Sequence, residues 1–151
     1  MSKLRAFIPR FAVLILVLLL WALPISRTAE VLPLRVEVTN ARQIGVYMTD
    51  ETQQQIDFGA AFPGAVITRR INLSRGDAPP AAVHVAIDGE IAPWLTLELR
   101  DFQLVEPTQV ALSLTIPEGA AEGRYSGTLT VRYTTTLGSR LVYWVSRRWR
   151  E

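Results

Sequence analysis

The chain has no cysteine, one histidine (His84) and one lysine (Lys3) among its 151 residues. Without cysteine there is no disulfide, so whatever folds must hold by packing alone. A lone histidine leaves a metal site or an acid–base pair dependent on partners from distant strands. Excess positive charge is also missing from Glu30 onward, where fourteen acids, Glu30 included, stand against twelve arginines, a balance of −2. The whole-chain +2 comes from Lys3, Arg5, Arg10 and Arg27 at the front. A nucleic-acid partner is therefore not expected. No Gly-x-Ser-x-Gly, phosphate loop or dinucleotide fingerprint occurs. After Ser26 no window of eleven or more residues carries a helical period.

The one long apolar run is Phe11–Ile25, FAVLILVLLLWALPI, fifteen uncharged residues. As a helix it would span about 22 Å at roughly 1.5 Å per residue, against a hydrocarbon core of roughly 30 Å. Reaching back through Ala6, Phe7 and Ile8 lengthens it, interrupted only by Pro9 and Arg10. An arginine so near the end can keep its head at the interface. A buried helix of a soluble domain would need a polar face or a large surrounding core. Lys3, Arg5 and Arg10 precede the run with no acid among them, which places the N-terminus in the cytoplasm. Cleavage after Ala29 would put Arg27 at −3, and cleavage after Ser26 would put Pro24 there. Both are poor for a signal peptidase. The run reads as an uncleaved anchor or, alternatively, as the core of a cleaved signal peptide with secretion of the rest.

The chain beyond the linker reads as short strands. Leu34–Val38 alternates apolar and polar, and Gln43–Met48, Ile56–Phe58, Ala65–Leu73, Ala81–Ile87, Leu95–Leu99 and Phe102–Val105 continue the series. Thr108–Ile116 alternates most regularly, with Val110, Leu112, Leu114 and Ile116 on one face. Tyr125–Tyr133 should turn Tyr125, Leu129, Val131 and Tyr133 inward, and Arg140–Val145 should be the last strand. Turns rich in Gly and Pro separate them. Many short strands with one apolar face each predict an all-β antiparallel sandwich of about 7–10 strands behind one N-terminal hydrophobic helix. The expected divisions are 1–10, a basic cytoplasmic N-terminus; 11–26, the anchor or signal; 27–33, a linker; 34–146, the sandwich; and 147–151, a basic tail.

Over Ile56–Tyr133 the chain resembles immunoglobulin-like modules of bacterial and archaeal surface proteins. The matching pieces are IDFGAAFPGAVITRRINL, GEIAPWLTL and IPEGAAEGRYSGTLTVRY. The resemblance implies an immunoglobulin-like fold and places Tyr125 as a tyrosine corner, its hydroxyl bonding back to the preceding turn. It implies no single function, because such modules serve as stalks, adhesive domains, carbohydrate-enzyme accessories and assembly subunits. A looser likeness to exported fibre subunits makes Leu34–Val38 a candidate donor strand for a neighbouring copy.

Candidate sites are few. His84 reads as an exposed strand residue. Asp50 with Glu51, or Asp88 with Glu90, would suit a calcium site only with help from loop carbonyls, and the spacing is too sparse for a dedicated loop. Asn72-Leu73-Ser74 is a glycosylation acceptor triplet. The tail is the most suggestive stretch. Val142 and Trp144 would face away from the core, and Arg147, Arg148, Trp149 and Arg150 form an arginine-aromatic cluster suited to a partner or a membrane surface. The sequence therefore predicts a single-pass envelope protein with an extracytoplasmic module for binding, scaffolding or assembly. No catalysis, cofactor, metal or small-molecule substrate is expected. Its partners would be the membrane, through the N-terminal helix, and an envelope protein or another copy. A secreted fibre subunit and a carbohydrate-binding accessory of an envelope enzyme are the alternatives.

Overall fold

The alternation in Thr108–Ile116 becomes one wall of the core. Val110, Leu112 and Leu114 are fully buried, and Ile116 nearly so. The computed structural model describes residues 7–40 and 55–148, with side-chain exposure for 15–40 and 55–145. Helix α1 (Phe7–Ala22) is followed by strands β1 (Pro24–Val38), β2 (Ile56–Ala61), β3 (Val66–Leu73) and β4 (Ala81–Gly89). A 3-10 turn (Ala92–Trp94) leads to β5 (Leu95–Leu97), β6 (Asp101–Leu104), β7 (Thr108–Thr115), β8 (Gly123–Thr136) and helix α2 (Leu137–Arg148).

The strands form two sheets, one of five strands in the order β2-β1-β8-β4-β6 and one of three in the order β3-β7-β5. The chain is thus mostly β, with a helix at each end of the described sequence. Leu34, Val36 and Val38 of β1, Val83 and Val85 of β4, and Leu129 and Val131 of β8 contribute one wall. Leu73, Leu95, Leu97, Val110, Leu112 and Leu114 supply the facing one. Each such side chain gains about 1.5–3 kcal/mol on leaving water, and neither sheet could bury its face alone. Tyr125 and Tyr133 pack half-buried against this core, on the inward side that the alternation of β8 predicts.

Pairing is antiparallel except between β1 and β2, which run parallel with Leu34 opposite Ile56 and Val38 opposite Ala61. A parallel pair cannot be closed by a tight turn and needs a crossover of roughly a dozen residues, which 39–55 provides. The predicted strand Gln43–Met48 lies outside the described residues.

Two sequence expectations are corrected. Residues 27–33, expected as a linker, are the middle of β1, which starts directly after Leu23 and pairs with β8 from Pro24–Thr136 to Val38–Gly123. Their side chains do not alternate and, apart from half-buried Leu32, are exposed, so the strand is marked only by its backbone hydrogen bonds. Arg140–Val145, expected as a strand, belongs to helix α2. Its run of five apolar residues after Arg140 has no true alternation. The reciprocal cap at Thr136 and Ser139 starts a helix there instead.

The crossing from one sheet to the other depends on two glycines. Gly89 (φ +103°) ends β4 opposite Gly127 of β8. A Cβ on Gly127 would stand 2.7 Å from Ile91 Cγ1 and 2.9 Å from the Asp88 carbonyl. The missing side chains let fully buried Ile91 sit down on β8, where the chain leaves the five-stranded sheet.

Candidate functional site

Because β1 and β8 pair along their whole length, the helix before β1 and the helix after β8 leave the sandwich at the same end. The Leu137 N–H donates to the Leu23 carbonyl at 3.2 Å, so the ladder runs into both helices. Thr136 is the N-cap of α2. The Ser139 N–H donates to Thr136 Oγ1 at 3.3 Å, and the Thr136 N–H donates to Ser139 Oγ at 3.2 Å. These reciprocal bonds form a capping box with serine in the place usually held by glutamate, and they satisfy two backbone donors that a helix start leaves open. The indole of Trp21 in α1 lies against Gly138, where a Cβ would have no room.

One side of α2 is held to the sandwich. The Tyr143 hydroxyl donates to the Asp77 carbonyl at 2.8 Å. The Arg75 guanidinium stacks 5.3 Å from the Tyr143 ring centre. The same arginine donates to the Val105 carbonyl at 2.7 Å and to the Ala78 carbonyl. At about 100° per residue, Leu141 and Val145 lie on the opposite side of the helix from Tyr143, with Val142 beside them. Leu141 is 44% exposed, Val142 58% and Val145 47%, and Trp144 is also exposed. Only Tyr143 therefore keeps an inward place; Leu141 and Val145, expected inward in a strand, face solvent.

Helix α1 has no polar side where exposure is described, and every residue from Ile15 to Trp21 is exposed, between 44% and 61%. Leu23 and Ile25 continue the apolar surface. Among the described residues, no helix is long and apolar enough to cross a membrane; α1 has 16 residues. No acid occurs from Leu137 to Arg150, while Arg140, Arg147, Arg148 and Arg150 do. Arg147 and Arg148 lie in the last turn of α2; Trp149 and Arg150 fall outside the described residues, as do Asp50 and Glu51.

The remaining candidates lie elsewhere on the sandwich. His84 and Asp101 are directly opposite on β4 and β6, with Nδ1 2.6 Å from Oδ1, and both are largely exposed. Such a pair in water is worth about 1 kcal/mol or less. Glu90 Oε2 accepts from the Ser126 N–H at 3.2 Å, so this carboxylate braces a turn. Among the described residues no three His, Asp or Glu side chains gather in a metal-binding group. Asn72 is exposed on β3, opposite Gln109. The Tyr125 hydroxyl donates to the Ala121 carbonyl at 2.9 Å, and its ring lies 4.7 Å from that of Trp94. An open cleft of about 550 Å³ between Arg35, Glu37, Asp57 and Arg124 mixes both charges. Its one ion pair, Arg124 to Glu37 at 3.7 Å, is solvent-exposed.

Leu34–Val38, expected as a donor strand, is paired on both sides within its own sheet, to β2 and to β8. It has no free edge to offer a neighbour. Sequence reasoning missed Arg75 and Asp77, which hold Tyr143; they sit in a turn read only for its breakers, and no local pattern marks a contact made 66 residues away. The signal for α2 was present as Thr136-Leu-Gly-Ser139. No family model, curated protein or solved structure matches the chain.

Proposed function

We propose that this chain is a membrane-tethered, extracytoplasmic, immunoglobulin-like β-sandwich that works as a non-catalytic binding, scaffolding or assembly module of the cell envelope. The observation that carries this reading is the all-round exposure of apolar side chains on α1 from Ile15 to Trp21. A helix that is oily on every side is stable only inside a large core or in lipid, and the sandwich leaves this one outside. At 16 residues it is about 24 Å long, so the bilayer would thin locally or the flanking residues would reach to the interface. The basic front, Lys3, Arg5 and Arg10, sets the N-terminus inside and the sandwich outside. The immunoglobulin-like assignment is supported by the two stacked sheets and by the Tyr125 bond to Ala121.

Fractionation with N-terminal sequencing tests the proposal. The protein should begin at Met1, stay with membranes through an alkaline carbonate wash, and lose its sandwich to protease added outside intact spheroplasts. Recovery in the soluble fraction, or a mature start near Glu30, would overturn the tether.

A further inference from the structure

We infer that α2 is a second membrane contact: it lies in the headgroup layer of an anionic phospholipid bilayer, with Leu141, Val142 and Val145 turned into lipid, and fixes the tilt of the sandwich above the membrane. This rests on α1 being inserted, as proposed above. A helix that lies in the interface needs an apolar face, a basic flank and freedom from acids. Leu141, Val142 and Val145 form an exposed apolar face, with Trp144 at its edge. In sequence, α2 carries Arg140, Arg147 and Arg148 and has no acid over its whole length.

Position makes lipid the occupant rather than a second protein. Trp21, in the last turn of α1, lies against Gly138, in the first turn of α2. Tryptophan settles at the headgroup level of a spanning or inserted helix. If Trp21 is at that level, α2 begins there too. Tyr143 is tied by Asp77 and Arg75 on the side toward the sandwich, which directs the apolar face away from the protein. Charge adds to this, since each arginine near an anionic surface raises partitioning roughly fivefold. There is also no flexible spacer to let the sandwich turn away, because β1 pairs with β8 from Pro24 onward.

The chain has no cysteine, so single labels can be placed cleanly. Full-length Leu18→Cys, Val142→Cys and Thr96→Cys, each carrying an environment-sensitive fluorophore, would be reconstituted into phosphatidylcholine–phosphatidylglycerol vesicles. Brominated lipids and aqueous iodide serve as quenchers. The labels at 18 and 142 should be quenched by brominated lipid, that at 142 about 5–10 Å below the headgroups, while that at 96 answers only to iodide. In neutral phosphatidylcholine vesicles, lipid quenching at 142 should fall about threefold with the label at 18 unchanged. A label at 142 that lipid does not quench, while that at 18 is quenched, overturns the inference and leaves the tether standing. If iodide also fails to reach 142, a protein covers this face instead of lipid. Equal quenching at 142 in both vesicle types overturns the dependence on anionic headgroups. Absence of lipid quenching at 18 overturns the tether and this inference together.

Discussion

Trp21 and Gly138 touch across the two helices, with the indole occupying the space where any other residue at 138 would carry its Cβ. Overfilling a packed contact costs typically 1–3 kcal/mol. Gly138→Ala should therefore destabilise the protein by about 1–2 kcal/mol, and Gly138→Leu by more. In a Trp21→Ala background the same Gly138→Ala change should cost almost nothing. Chemical denaturation of the four members of this cycle in detergent checks it, and additive effects would show that the two residues do not share space.

Arg69 points inward from β3, an edge strand, and its Nε is buried without a hydrogen-bond partner. An inward-pointing charge on an edge costs stability and discourages pairing with another chain. Arg69→Leu should thus stabilise the fold by roughly 1–2 kcal/mol and increase self-association. Denaturation midpoints and sedimentation velocity read the two effects separately. A variant that is less stable and stays monomeric would refute this account of the edge.

Tyr125 combines a hydroxyl bond to Ala121 with a ring contact to Trp94. Tyr125→Phe keeps the ring and should cost about 1 kcal/mol, whereas Tyr125→Ala should cost about 3–5 kcal/mol. Equal losses would mean that the hydroxyl dominates, against the observed packing.

Tyr133 holds its proton more tightly in the folded chain than a free phenol does. Burial, the Glu30 charge and the hydrogen bond to Glu30 at 3.5 Å all push its pKa up from 10.0. The linked stability is fully present below about pH 10 and is lost as pH rises through the raised folded value. Tyr133→Phe should remove this decline, and Glu30→Gln should shrink it. Denaturation midpoints at about pH 9 and about pH 11 for the three proteins decide the matter.

Gly127→Ala should cost about 1–3 kcal/mol, since its Cβ would meet Ile91 Cγ1 and the Asp88 carbonyl. Measured against Ile91→Ala alone, which removes Cγ1 along with Cδ1, the Gly127→Ala change should cost less than it does beside the intact isoleucine. Failure of the smaller side chain to rescue would locate the strain at the backbone alone.

Much of the sandwich was readable from alternation. Val110, Leu112, Leu114, Leu129 and Val131 are buried on the faces their spacing predicts. The two failures share a cause. Residues 27–33 mix polar and apolar side chains without alternation, and all but Leu32 are exposed, so nothing in their pattern announces that the backbone is paired with β8. Leu141–Val145 is apolar on both parities, so periodicity could not choose between strand and helix, and a side-chain cap at Thr136 and Ser139 made the choice. Neither the Asp77 carbonyl under Tyr143 nor Asp101 beside His84 could be read locally, because each contact joins segments far apart in the chain.

The placement of β8 in the middle of the five-stranded sheet, between β1 and β4, also governs how the molecule can come into being. Both of its neighbours are made long before it, and β1 waits for a partner roughly a hundred residues later. Until β8 is made, the larger sheet lacks its middle strand. Such high contact order slows folding, because the ends of a long stretch of chain must meet before the middle of the sheet can form.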